Sequence, residues 1–91
     1  MKITNLSEKY QSSFNVLNDM LGLQKFDIEM LFTEEDRMCV GVKDGKGYIK
    51  CKEIHHMNRL LALFAEYYKG VDFEISERSS EGSLPQFVKL S

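Results

Sequence analysis

Two adjacent histidines and a run of three acids are the residue types in this chain that could bind a metal ion. Neighbouring helix residues point about 100° apart, so His55 and His56 cannot chelate one ion as histidines four residues apart do. The run Glu34-Glu35-Asp36 spreads its carboxylates along one turn, whereas a hard cation needs oxygens at spaced positions. We therefore interpret the histidines as exposed helix residues and the acids as a solvated turn, and predict no metal site.

The sequence also offers no arrangement of residues suited to acid–base catalysis or to phosphate binding. Asp27 and Glu29 alternate with apolar residues, which places both carboxylates on the solvent side of a predicted strand, without the burial that general acid catalysis uses. The glycines of Asp44-Gly45-Lys46-Gly47 have no helix directly after them, as a phosphate-binding loop requires. We predict no catalytic residue, no cofactor-binding residue and no cofactor.

Basic residues surround one tyrosine on a predicted hairpin: Lys43, Lys46, Lys50 and Lys52 lie close to Tyr48. Lysines interleaved with an aromatic ring can bind single-stranded nucleic acid. Lysines on the outer face of a hairpin also protect an exposed sheet edge from aggregation. The formal net charge of -2 supplies no global positive field, so we favour edge protection and predict neither a nucleic-acid nor a membrane partner.

Length and composition predict one small folded domain. The chain has 91 residues, of which 43% are hydrophobic and 29% charged, close to globular averages. Cys39 and Cys51 are too few for a disulfide framework and lack CxxC spacing, which favours a reducing compartment. We expect a cytoplasmic protein.

Hydrophobic periodicity predicts two amphipathic helices. The first covers residues 6–21, with capping-box spacing between Asn5 and Glu8 and a stop at Gly22. The second has an apolar face and a similar stop at Gly70. That face consists of Met57, Leu60, Leu61, Phe64 and Tyr68.

Four segments alternate with the period of a strand: residues 26–32, 38–42, 48–53 and 71–76. The two glycines of the hairpin permit the positive φ angles of a tight turn. We predict a register with Val42 opposite Ile49 and Val40 opposite Cys51, which puts the cysteines on opposite faces. The predicted order is α-β-β-β-α-β, an α+β fold with a mostly antiparallel four-stranded sheet and two helices packed on it.

The predicted domain covers residues 1–78, and residues 79–91 are expected to be a flexible C-terminal tail. Leu31 breaks the alternation of its strand, and three apolar residues lie in the tail. We take Leu31, Phe87, Val88 and Leu90 as a candidate interaction surface.

Residues 47–76 combine a hairpin strand, a short junction, an Arg-centred apolar helix at residues 56–63 and a closing strand. This stretch resembles the small domain that precedes the catalytic barrel in family 20 glycoside hydrolases, the β-N-acetylhexosaminidases, particularly bacterial ones. The preceding elements fall in the same order, so the likeness covers most of residues 5–77.

The resemblance implies a non-catalytic accessory domain that packs against a barrel. In that family the catalytic Asp-Glu pair lies in the barrel, which needs about 250 residues, so no catalytic residue carries over to this chain. We expect that the chain alone is not an enzyme and that its partner is a protein. The alternative is a stand-alone interaction or homodimerisation module.

Overall fold

The computed structural model describes residues 1–78 and 86–90, with side chains described as far as residue 76. Its two helices are α1 (Glu8–Leu21) and α2 (Ile54–Tyr67), and a short 3-10 turn, Leu23–Lys25, follows α1. Its strands are β1 (Lys2–Thr4), β2 (Glu29–Glu34), β3 (Met38–Lys43), β4 (Lys46–Cys51), β5 (Phe73–Arg78) and β6 (Gln86–Leu90). The predicted α+β class is therefore confirmed.

The strands form one mixed sheet in the order β1-β2-β4-β3-β5-β6. β2 runs parallel to both β1 and β4, while the remaining neighbours are antiparallel. The prediction of a mostly antiparallel four-stranded sheet was wrong, because β4 lies between β2 and β3. The Glu35 N–H donates to the Cys51 carbonyl, 3.0 Å away, where the chain crosses the end of β4. Alternation predicts which face a residue occupies but not which strand lies beside it.

Helix α1 begins differently from its prediction. Ser7 is the N-cap residue, and Asn5 instead has a φ of 65°. The Asn5 side-chain amide donates to the Phe32 carbonyl at 3.1 Å, so it anchors the entry to the helix on β2 rather than capping it. The predicted end is confirmed, since Gly22 has a φ of 61° and its N–H donates to the Asn18 carbonyl.

The prediction that the second helix ends in a glycine stop at Gly70 was wrong. Helix α2 ends at Tyr67, and its C-cap residue is Tyr68, with a φ of -71°. Gly70 does take a positive φ of 84°, but Val71 after it is exposed rather than folded back on the helix.

The hairpin register differs from the predicted one by two residues. Lys43 pairs with Lys46, and Val40 with Ile49, so the turn contains only Asp44 and Gly45. Both turn residues have positive φ, 53° and 77°, which is typical of a two-residue type I′ turn. A shift of two leaves every side chain on its predicted face. Cys39 pairs with Lys50 and therefore still lies on the opposite face from Cys51, and both thiols are free.

One core holds the helices against the inner face of the sheet. Helix α2 supplies four fully buried side chains, Met57, Leu60, Leu61 and Phe64, and α1 supplies Tyr10 and Phe14. The Phe64 ring lies 5.8 Å from the Phe73 ring of β5 and 5.3 Å from that of Phe26. Four of the five residues of the predicted apolar face are thus buried in the core, and the fifth, Tyr68, is partly buried against it.

Two strands were not predicted. β1 has only three residues, too few to show a period, and its Lys2 N–H donates to the Ile28 carbonyl. β6 lies in the segment expected to be a flexible tail and pairs with β5. Neither helix in the described part of the chain combines the length and apolarity that a membrane span requires.

Candidate functional site

The candidate site lies on the face of the sheet opposite the helices, which we call the outer face. Its side chains alternate with the core residues along β2, β3, β4 and β5. They are Glu29, Leu31, Thr33, Cys39, Lys43, Lys46, Tyr48, Lys50, Glu74 and Ser76, with Gly41 among them.

A hydrogen-bonded cluster lies at the centre of the outer face. The Tyr48 hydroxyl donates to the Glu74 carboxylate, and the Ser76 hydroxyl also donates to Glu74, at 3.2 Å. The Arg37 guanidinium lies 3.7 Å from the same carboxylate. Burial, together with the bond to Glu74, raises the pKa of the Tyr48 phenol, so it remains a neutral donor at physiological pH.

The Tyr48 ring lies across Gly41 of the neighbouring strand. A Cβ atom at Gly41 would lie 2.5 Å from the Tyr48 hydroxyl oxygen and 2.6 Å from the Phe73 carbonyl oxygen. Only a residue without a side chain fits there, because both distances are shorter than carbon–oxygen contacts allow. Gly41 thus permits the Tyr48–Glu74 hydrogen bond.

Leu31 lies beside Tyr48 on the outer face, since the two residues pair across β2 and β4. Its side chain is 52% exposed. Two shallow depressions of about 470 and 370 Å³ adjoin it and share Leu31, Lys46 and Gly47. We call this pair of depressions the Leu31 groove; its other lining residues are Thr4, Glu29, Lys43, Asp44, Gly45 and Tyr48.

The structure does not bring the rest of the predicted interaction surface to this groove. Phe87, Val88 and Leu90 belong to β6, at the far edge of the sheet, and their side chains lie outside the described residues. β2 and β6 are separated by three strands, so their backbones are roughly 19 Å apart at the usual strand spacing. Leu31 is therefore the one predicted surface residue that the structure places in a described cavity.

Two acids of the run 34–36 lie within ion-pair distance of hairpin lysines, so the run is not simply a solvated turn. Glu35 lies 3.9 Å from the Lys50 ammonium, and Asp36 lies 3.3 Å from that of Lys52. The interpretation of the lysines as edge protection was wrong, because β3 and β4 are interior strands.

Tyr10 forms a second polar contact, which the sequence pattern did not reveal because the residue reads as one more apolar helix position. Its hydroxyl lies 2.7 Å from the Glu34 carboxylate and 2.7 Å from the Lys52 carbonyl, and its one proton is shared between these acceptors. Burial, with the bond to Glu34, raises the pKa of this phenol. The contact ties α1 to the ends of β2 and β4.

The histidines and cysteines take no part in these contacts. The His55 and His56 rings lie 4.2 Å apart, and within residues 1–76 no three His, Cys, Asp or Glu side chains converge as a metal site would require. Both cysteines are buried, which raises the pKa of Cys39 and brings that of Cys51 to about 12. Their thiols are protonated at neutral pH and therefore poor nucleophiles.

The raised pKa of Cys51 predicts a loss of stability in alkali. In the unfolded chain this thiol loses its proton near pH 9, whereas burial in the folded state raises its pKa to about 12. The buried, protonated thiol contributes its full share of the folding free energy below about pH 9, and this share is lost as the pH rises toward about 12. Urea denaturation between pH 8 and 11 should show a falling free energy of unfolding. Cys51→Ala should have a shallower slope, and equal slopes would contradict the assignment.

Comparison with known proteins found no match to a protein-family model, to a curated protein or to a solved structure. The resemblance to the small domain of the β-N-acetylhexosaminidases therefore stays a prediction.

Proposed function

We propose that this chain is a non-catalytic domain that binds another protein through the outer face of its sheet. The observation that carries the proposal is the position of Leu31. This leucine is half exposed beside Tyr48, on a strand paired on both sides, and depressions adjoin it. Apolar side chains at the centre of a contact patch are typical of protein interfaces.

The chemistry of the outer face supports a binding role over a catalytic one. Its thiol, Cys39, is buried and protonated, and its phenol, Tyr48, is held as a neutral donor to Glu74. An activated nucleophile usually has a lowered pKa, whereas burial raises the pKa of both of these groups.

The resemblance to family 20 enzymes suggests the partner. In this proposal the chain is the accessory domain of a β-N-acetylhexosaminidase-like protein, and the Leu31 groove packs against the catalytic barrel. The α+β class agrees with that role. Free buried thiols suit a reducing compartment, so the proposed location is the cytoplasm.

A binding experiment tests this proposal. The chain is titrated calorimetrically into the barrel of a bacterial family 20 enzyme produced without its own small domain. We expect saturable binding that Leu31→Asp weakens by about tenfold or more, the effect of losing one central contact. Met20→Asp is the matched control, because Met20 is 74% exposed on α1, away from the groove. No binding, or equal losses in both variants, would contradict the barrel as partner.

The second candidate is a stand-alone homodimerisation module. Val16 and Met20 favour it, since they lie one helical turn apart on α1 and are 56% and 74% exposed. Sedimentation at micromolar concentration distinguishes this candidate. A dimer that Val16→Asp dissociates would support it, whereas a clean monomer would argue against it.

A further inference from the structure

Two lysines at one end of the outer face lie directly opposite each other, and neither has an ion-pair partner among the described residues. Lys43 and Lys46 form the last pair of the β3–β4 hairpin, and both are exposed. In the described part of the chain no carboxylate lies within ion-pair distance of either ammonium, whereas Lys50 and Lys52 each have one. Like charges directly opposite on neighbouring strands destabilise a sheet. The pair is therefore a repulsive element that a bound anion would relieve.

Three acids lie near this end of the hairpin: Asp44, Asp72 and Glu29. The Asp72 carboxylate accepts the backbone N–H groups of Asp44 and Gly45, at 2.8 and 3.5 Å, so it holds the turn itself. Asp44 lines the smaller depression together with both lysines, and Glu29 lines the larger depression together with Lys46. Neither forms an ion pair with Lys43 or Lys46 among the described side chains.

The floor next to the lysines is apolar. The smaller depression contains Leu31 and Tyr48 together with both lysines. The Tyr48 hydroxyl is already engaged with Glu74, so the ring rather than the hydroxyl is offered to a ligand. A ligand that fits both parts carries negative charge beside an apolar group.

We infer that the Leu31 groove binds an acidic segment of a partner protein, in which a carboxylate lies next to an apolar side chain. The carboxylate would lie between Lys43 and Lys46, and the apolar side chain would contact Leu31 and the Tyr48 ring. A peptide fits better than a nucleic acid, because the chain is net negative and its other two hairpin lysines are already paired. This inference rests on the proposed function and specifies the chemistry of the partner.

The test uses two short blocked peptides, one alternating glutamate with leucine and the other alternating lysine with leucine. Each is titrated into the isotope-labelled chain, and amide chemical shifts are followed by NMR. We expect the acidic peptide to cause saturable shifts at Leu31, Lys43, Lys46 and Tyr48, and the basic peptide to cause none there. Added salt should weaken the binding.

Lys43→Glu separates recognition from folding. It places opposite charges in the hairpin pair, so the midpoint of urea denaturation should rise slightly, while binding of the acidic peptide should weaken by about tenfold or more. Lys69→Glu, an equal charge change on an exposed residue just after α2, should leave binding within about twofold.

Three results would overturn the inference: no shifts with the acidic peptide, shifts centred on α1, or Lys43→Glu binding as well as the unsubstituted chain. Oligothymidine is titrated in the same way. If it bound at the same amides more tightly than the acidic peptide, the ligand of the groove would be a nucleic acid rather than a peptide. If the acidic peptide did not bind but the chain still bound the barrel, only the inferred acidic ligand of the groove would be refuted. Peptide binding without barrel binding would support the groove and refute the barrel partner.

Discussion

Leu61→Ala should lower the free energy of unfolding by about 2 to 5 kcal/mol, the usual effect of truncating a fully buried leucine. Leu61 has no exposed surface and lies in the core with Leu60 and Phe64, on the face of α2 that meets the sheet. The loss is a large fraction of the stability of a small domain, which is typically about 5 to 15 kcal/mol. Urea denaturation followed by circular dichroism measures it.

Arg59→Ala is the matched control on the same helix. Arg59 is exposed, and an interaction at an exposed position contributes little, so its loss should cost less than about 1 kcal/mol. If Arg59→Ala proved the more damaging of the two, the assignment of the buried face of α2 would be wrong.

Gly41→Ala should have the second largest effect, a loss of about 1 to 3 kcal/mol, the usual range for overpacking. The added methyl group would meet the Tyr48 hydroxyl and the Phe73 carbonyl, and the latter is backbone that cannot rotate away. The same melts measure this loss, and a change below about 0.5 kcal/mol would contradict the predicted collision.

A double-mutant cycle identifies the partner of the collision. Tyr48→Ala removes the ring, so Gly41→Ala should cost less in that background than in the unsubstituted chain. Equal costs would assign the whole effect to the Phe73 carbonyl.

The sequence predicted the parts of the fold that depend on local periodicity. The burial of Leu61 follows from three- and four-residue spacing, and the end of α1 follows from the conformational freedom of Gly22. The faces of Val40 and Ile49 also follow, because strand alternation is local. The exact pairing does not, since a shift of two residues preserves the same faces.

Strand neighbours depend on contacts between distant segments, which a single sequence does not display. Nothing in residues 29–51 marks β4 as the neighbour of β2, and the three residues of β1 show no pattern. The same distinction between local and long-range features applies to the candidate site. Leu31 could be singled out from the sequence because it interrupts the alternation of its strand. The Tyr48–Glu74 hydrogen bond could not, because it joins β4 to β5 across the intervening strand β3.

The interior positions of β2 and β4 would reduce the entropic cost of the proposed binding at the Leu31 groove. Leu31 is paired to Thr4 on one side and to Tyr48 on the other, and Lys46 is paired to Lys43. A ligand bound there would meet a backbone whose conformational freedom was already lost on folding, so that binding would have to order only exposed side chains. Each lysine immobilised in this way costs roughly 0.5 to 1.5 kcal/mol, and no loop has to be ordered in addition.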